Sequence, residues 1–205
     1  MSHLTIAPIR NVQYYEQLTA GPSPVSLADL KCYLKITNTT DDALLQSLLD
    51  ASTEYGERYT ARDFRVKTWR LLQDCFEEEI VLSRSLVDTV DSIEYIKDAA
   101  FTAATLADTY LKTQRQESIL LLLSGKCYPT DGDDRQQSVK IEFTTRAFPC
   151  ADSIKTAIKR HASFVYENRG DCMDSGSSGD CGCGSDTAAQ SGALAIYDQF
   201  RISRV

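Results

Sequence analysis

Residues 41–60 read DDALLQSLLDASTEYGERYT, and their spacing decides the class of fold. Leu44, Leu45, Leu48, Leu49, Ala51 and Tyr55 recur three and four positions apart, the period of one helical face. Thr40, Asp41 and Asp42 supply an N-cap and acidic first-turn residues. The spacing predicts a helix over about 41–60. Just upstream, Ser26 stands before Leu27, Leu30, Tyr33 and Leu34, with Asp29 three residues on. That is a capping-box arrangement, and it opens a shorter helix. Residues 37–40 form a polar break, and Pro22 and Pro24 end an irregular N-terminal arm over 1–25.

Downstream of residue 64 the period changes. Short apolar runs at 65–76, 80–82, 87–96 and 118–123 are separated by turn chemistry. Residues 129–134, PTDGDD, make a strong turn. Val139-Lys140-Ile141-Glu142-Phe143-Thr144 then alternates with period two, as a half-buried strand does. Helical spacing returns near Asp152, where Ile154, Ala157, Ile158, His161, Ala162 and Val165 form one stripe. Gly170 is a natural stop. The expected fold is α+β: a small helical bundle with an inserted antiparallel β region and a flexible C-terminal arm. The bundle takes two N-terminal helices within 26–64 and one long C-terminal helix at 151–170. The β region spans 65–150.

The arm has two parts. Residues 171–192 are rich in Gly, Ser, Asp and Cys, too poor in apolar surface to order themselves, and read as a tether. A coil of about 20 such residues reaches about 25 Å. Residues 193–205 turn apolar again, with Leu194, Ile196, Tyr197, Phe200, Ile202 and Val205 interleaved with Arg201 and Arg204. That end needs a surface to dock on, either its own body or a neighbour.

Composition narrows the function classes. The chain has 205 residues, 42% hydrophobic and 25% charged, with a net charge of −7. A basic surplus, the usual mark of a general nucleic-acid binder, is missing. An acidic surface lets DNA pass without sticking. The longest apolar run, 119–123, is far too short to span a membrane. MSHLTIAPIR has no apolar signal region with a small-residue cleavage site, so the expectation is a cytoplasmic chain or a particle assembled there.

Candidate chemistry is sparse. The seven cysteines are expected as thiols, with Cys32, Cys75, Cys127 and Cys150 as small core residues. Cys172, Cys181 and Cys183 follow C-x8-C-x-C, unlike the C-x2-4-C pairs of structural zinc sites. The nearby aspartates lack EF-hand spacing. A metal- or redox-sensing module on these cysteines is the alternative to a plain tether. His161 lies on the apolar stripe and reads as a core histidine bonded to a neighbour. A nucleophile pair with Cys32 or Cys150 has no local signature. Glu77, Glu78 and Glu79 read as a solvated charge run. No phosphate-loop, dinucleotide, HExxH or GxSxG motif occurs, which disfavours an uncharacterised cytoplasmic enzyme. No cofactor, catalytic residue or metal ligand is assigned. The helix ending at Tyr166-Glu167-Asn168-Arg169 reads either as a plain terminus or as a contact between subunits through Tyr166, Glu167 and Arg169.

The order of segments resembles the phage head–tail connector (adaptor) proteins. PVSLADLKCYLKITNTTDDALLQSLLDASTEYGERYTARDF at 24–64 is similar to that family's opening pair of helices. IVLSRSLVDTVDSIEYIKD at 80–98 resembles its central hairpin, and YPTDGDDRQQSVKIEFTTRA at 128–147 the strand before its last helix. SIKTAIKRHASFVYENRGD at 153–171 resembles that helix, and ALAIYDQFRISRV the short C-terminal piece. Ala61 departs from the pattern where glycine is common before Arg62, and residues 1–23 lie outside it. The resemblance implies a structural protein of the virion neck, at the head–tail interface of a tailed phage or phage-like particle, and no enzyme. Twelve copies would form a ring on the portal protein, extend the DNA channel and present an attachment site for the stopper. The C-terminal segment, Leu194 to Val205, would reach the portal. DNA would pass without sequence-specific binding, and no membrane is involved.

Overall fold

The computed structural model describes residues 11–114, 117–133, 135–169 and 186–202. The chain divides into two compact units. One holds Met1–Gly21 with Val66–Ala147, the other Pro22–Arg65 with Phe148–Val205.

The described residues of the first unit form antiparallel β-strands with one 3-10 turn at Leu106–Asp108. Its strands are β1 (Tyr14–Ala20), β2 (Lys67–Gln73), β3 (Glu79–Leu82), β4 (Val87–Lys97), β5 (Ala100–Ala103), β6 (Thr109–Gln114), β7 (Glu117–Leu122) and β8 (Val139–Thr145). They form a five-stranded sheet ordered β1-β2-β8-β4-β5 and a three-stranded sheet ordered β3-β7-β6. Period-two alternation turns Trp69 and Leu71 of β2, and Val139, Ile141 and Phe143 of β8, into a core with Ile80, Leu82, Ile93 and Leu120. The opposite face of β2 and β8 carries charge, where Arg70 bridges Glu16 (3.0 Å) and Glu142 (2.9 Å).

Three features differ from the sequence expectation. The arm read as irregular contains β1, which pairs antiparallel with β2 from Tyr14↔Leu72 to Ala20↔Lys67. A register shift between Gln17 and Thr19 breaks its alternation, and with it the signal of a strand. Strands β5 and β6 lie between the apolar runs; β5 is exposed along its whole length, so burial left no imprint on its residues. Cys32, Cys75 and Cys127 are exposed rather than core, and Cys150 is half-buried.

The second unit is helical: α1 (Leu27–Leu34), α2 (Asp42–Thr60), α3 (Asp152–Glu167), α4 (Thr187–Gln190) and α5 (Leu194–Asp198). The capping box forms as read: Ser26 Oγ accepts from Asp29 N (3.1 Å), and Asp29 accepts from Ser26 N (3.3 Å). Leu30, Leu45, Leu49, Ile154, Ala157, Ile158 and Ala162 pack α1, α2 and α3 together, as the helical stripes require. Helix α2 ends on Ala61 in the left-handed region, φ 56°, with the Arg62 N–H returning to Glu57 O at 3.2 Å. Glu57 is buried and holds the chain past this turn. It accepts from the backbone N–H of Phe64 (2.9 Å) and Arg65 (3.1 Å) and pairs with the Arg65 guanidinium at 2.9 Å. Among the described residues no helix is long and apolar enough to cross a membrane.

Candidate docking site on the helical unit

The C-terminal segment supplies part of the helical core. Most of the expected tether, 170–185, with its three cysteines, lies outside the described residues. From Asp186 onward the chain runs back over α2 and α3, and residues 187–190, read as tether, form α4. Asp186 caps α4 by accepting from Ala188 N at 3.0 Å, and its other oxygen accepts from Tyr55 OH at 2.5 Å. A short aspartate-capped turn of four residues is below the length at which helical periodicity shows.

His161 is buried, and its Nε2 bonds Thr187 Oγ1 at 2.9 Å, so the core-histidine reading holds. Burial holds its pKa below the ordinary 6.5, against the opposing pull of Asp186. Burial also raises the Cys150 thiol to about 11, far from a nucleophile's range.

Tyr197 is the centre of the arrangement. It is fully buried, with its ring among Tyr55, Tyr59 and Phe64 at centroid distances of 6.4 to 6.5 Å. A Cβ on Gly56 would stand 2.8 Å from Phe64 and 2.9 Å from Tyr197. A glycine inside a strongly periodic helix weakens the helix, and a close approach is the usual reason to keep one. The Tyr197 hydroxyl has no hydrogen-bond partner among the described residues. Around this ring, Tyr59 OH donates to Asp198, Arg62 Nε donates to Phe200 O at 2.7 Å, and Ile202 N donates to Thr60 O at 3.1 Å.

Of the eight residues expected to form a docking tail, the structure thus places Tyr197 inside its own unit. Leu194 is half-buried, and Ile196 and Phe200 pack against the same core. Ile202 is half-buried, Arg201 is exposed with its guanidinium 5.1 Å from the Tyr59 ring centre, and Arg204 and Val205 lie outside the described residues. At the end of α3, Tyr166 OH donates to Asp41 at 2.6 Å, and Arg169 lies 3.7 Å from the same carboxylate and 4.3 Å from the Tyr166 ring centre. Glu167 is exposed. These residues therefore tie α3 to the start of α2 within one chain, and leave Glu167 and Arg169 on the surface. Glu77, Glu78 and Glu79 are exposed, as a solvated run should be. Among the described residues no group of His, Cys, Asp and Glu could hold a metal ion. Sequence reasoning missed Asp186, Thr187 and Asp198 as partners of α2 and α3, since each is a polar residue in a segment without period. Gly56 was the one available signal.

The fold is shared with several solved particle structures. A chain of the neck of an empty GTA particle computed with C6 symmetry is 22% identical, with a TM-score of 0.69 over 94% of this chain and 97% of that one. A chain of the virion of the native gene transfer agent particle is 21% identical, TM-score 0.67, over 93% and 96%. A chain of the neck of the native GTA particle computed with C12 symmetry is 22% identical, TM-score 0.66, over 94% and 97%. No curated protein matches the sequence. The sequence itself matches the phage gp6-like head-tail connector proteins over residues 24–201, from the capped α1 to the last turn after α5. The chain belongs to that family of head-tail connector proteins.

Proposed function

We propose that this chain is the adaptor of a tailed phage or phage-like particle, acting as a ring of identical copies, twelve in number, seated on the portal protein. The ring extends the DNA channel and offers the stopper its attachment surface. The observation that carries this reading is the family match across both units, 24–201. The likeness of fold to a chain from a neck computed with C12 symmetry supports the ring. The net charge of −7 suits a conduit that DNA must traverse without adhering. The function needs no catalysis and no cofactor.

Docking on the portal uses the C-terminal end beyond Tyr197, through Arg201, Arg204 and Val205, with α5 as the anchor that fixes where this end leaves the bundle. Glu167 and Arg169 are surface groups suited to contact between neighbouring copies. Ring contacts are individually weak and gain strength through multiplicity. Mixing the purified chain with portal rings and imaging the product tests the proposal. Added twelvefold density below the portal is expected; portal rings without added density would overturn it. Replacing Arg201 and Arg204 with Glu should abolish attachment while leaving the bundle folded, and undiminished attachment would refute the tail's role.

A further inference from the structure

The β unit carries a cleft of about 780 Å³, within the size range of sites that enclose a ligand or a short peptide. It opens where β2, β4 and β7 end and where β3 and β8 begin. Part of its lining is apolar. Phe76 stacks on Tyr128 with ring centres 4.4 Å apart and lies 6.2 Å from the Tyr95 ring, and Leu123 is exposed. The Tyr128 hydroxyl is buried without a hydrogen-bond partner among the described residues. The charge of the lining is one-sided: Asp74, Glu77, Glu78, Glu79 and Asp133 stand against Lys126. Lys126 is committed to Asp108 (2.9 Å), Asp133 to Arg135 (3.4 Å) and Asp74 to the Gln137 N–H (2.8 Å). Glu77, Glu78 and Glu79 are exposed and, among the described residues, in no ion pair. Three adjacent carboxylates repel one another and gain from any cation brought among them.

Main-chain groups are open beside these carboxylates. Strand β3 is the end strand of its sheet. Tyr15 OH donates to Val81 O (3.1 Å) and accepts from Ser83 N (3.0 Å), so both residues turn backbone groups to the outer edge of that strand. Strand geometry repeats every second residue, which sends the N–H and C=O of Glu79 out along the same edge. An extended chain laid along Glu77–Glu79 thus finds carboxylates and backbone partners together, the combination used in strand addition. Aromatic rings and Leu123 give its apolar side chains a place to bury.

We infer that the cleft is a docking site for an extended segment of another protein chain, one in which basic and apolar side chains alternate. Its basic residues meet Glu77, Glu78 and Glu79, and its apolar residues meet Phe76, Tyr128 and Leu123. The inference concerns the β unit alone and does not rest on the ring or the portal. It is tested by fluorescence anisotropy of the full chain with three labelled, end-blocked heptapeptides: alternating arginine and leucine, arginine and serine, glutamate and leucine. The arginine–leucine peptide should bind about tenfold more tightly than either of the others, and more weakly as salt is raised. A full-length E77Q/E78Q/E79Q variant, altered only at exposed positions, should lose about tenfold in affinity for it. A full-length E54Q/E117Q/D152N variant removes the same charge from other exposed positions and should change it by less than about twofold. Leu123→Ser should weaken it about threefold. No binding of the arginine–leucine peptide overturns the inference. Equal loss in the two triple variants also overturns it, since net charge would then be the whole attraction. Equal binding of the arginine–leucine and arginine–serine peptides overturns it too, by removing the aromatic lining from the account.

Discussion

The two units close their cores in opposite ways. The helical unit needs the end of the chain: Tyr197, Ala193 and the groups around them complete a core that α1, α2 and α3 leave open over Gly56. The β unit draws its buried core, among the described residues, from strands β2, β3, β4, β7 and β8. What it leaves open is on the surface: a cleft, and an exposed edge strand β5 carrying Phe101. The difference teaches where substitutions should cost folding and where they should cost only contacts. It also changes what truncation means. Removing residues 193–205 would take the Tyr197 plug out of the helical core, so loss of attachment after that deletion would not isolate a docking contact.

Predictions that press this contrast begin in the helical unit. Glu57→Ala should cost about 3–5 kcal/mol in denaturant unfolding, since it strands Arg65 and two backbone N–H groups; a loss below 1 kcal/mol would show that water reaches this site. Tyr197→Ala should cost about 3–4 kcal/mol by the same measurement. Phe101→Ser, an equally drastic change on the exposed β5 edge, should shift stability by no more than about 0.5 kcal/mol. Equal effects at Tyr197 and Phe101 would break the contrast. Gly56→Ala should cost about 1–3 kcal/mol despite alanine's better helix propensity, because the new methyl meets two aromatic rings. Pairing it with Tyr197→Ala should cancel most of that penalty, and strict additivity would mean the ring is not what Gly56 accommodates.

The contrast also explains which parts were legible in the sequence. Helices α1, α2 and α3 announce themselves, since a stripe such as Ile154-Ala157-Ile158-His161 repeats over several turns and Ser26 and Asp29 mark a start. Strand β8 is as plain, because its two faces meet core and water. Strand β1 is hidden by the shift at Leu18, and α4 and α5 are too short to show a period. The apolar tail was visible as needing a partner. What the sequence could not decide was which partner, because burial in one's own core and burial in a neighbour select the same side chains. The exposed cysteines misled for a related reason: thiols are small enough for a core position, yet nothing forbids them outside one.

His161 tests the C-terminal closure through pH. Its folded pKa is lowered by burial, so the unfolded chain binds a proton that the native one does not. Stability should therefore be full above the unfolded value of 6.5 and fall as pH drops below it, until the folded pKa is reached. His161→Gln should flatten that part of the profile, measured as denaturant midpoint between pH 7 and 5. An unchanged slope would mean that the imidazole is solvated and the α4 contact open.

The finest test uses two alanines held with positive φ, one in each unit. Ala61 ends α2 at φ 56°, and Ala99 sits at φ 64° after Asp98 at φ 52° in the turn between β4 and β5. Two successive positive φ values make the hairpin turn that favours Asn-Gly, and the α2 terminus is a left-handed cap, where glycine is favoured. An L residue there costs about 1–2 kcal/mol, partly offset because glycine gains more freedom on unfolding. Ala61→Gly and Ala99→Gly should each stabilise by about 0.5–1 kcal/mol. Calorimetry then separates the units. If the helical core and the β core unfold together, both substitutions move one transition by similar amounts. If each core stands alone, Ala61→Gly moves only the transition that Tyr197→Ala lowers, and Ala99→Gly only the other. A single transition that both shift would mean that the two cores, though closed by different means, fold as one cooperative body.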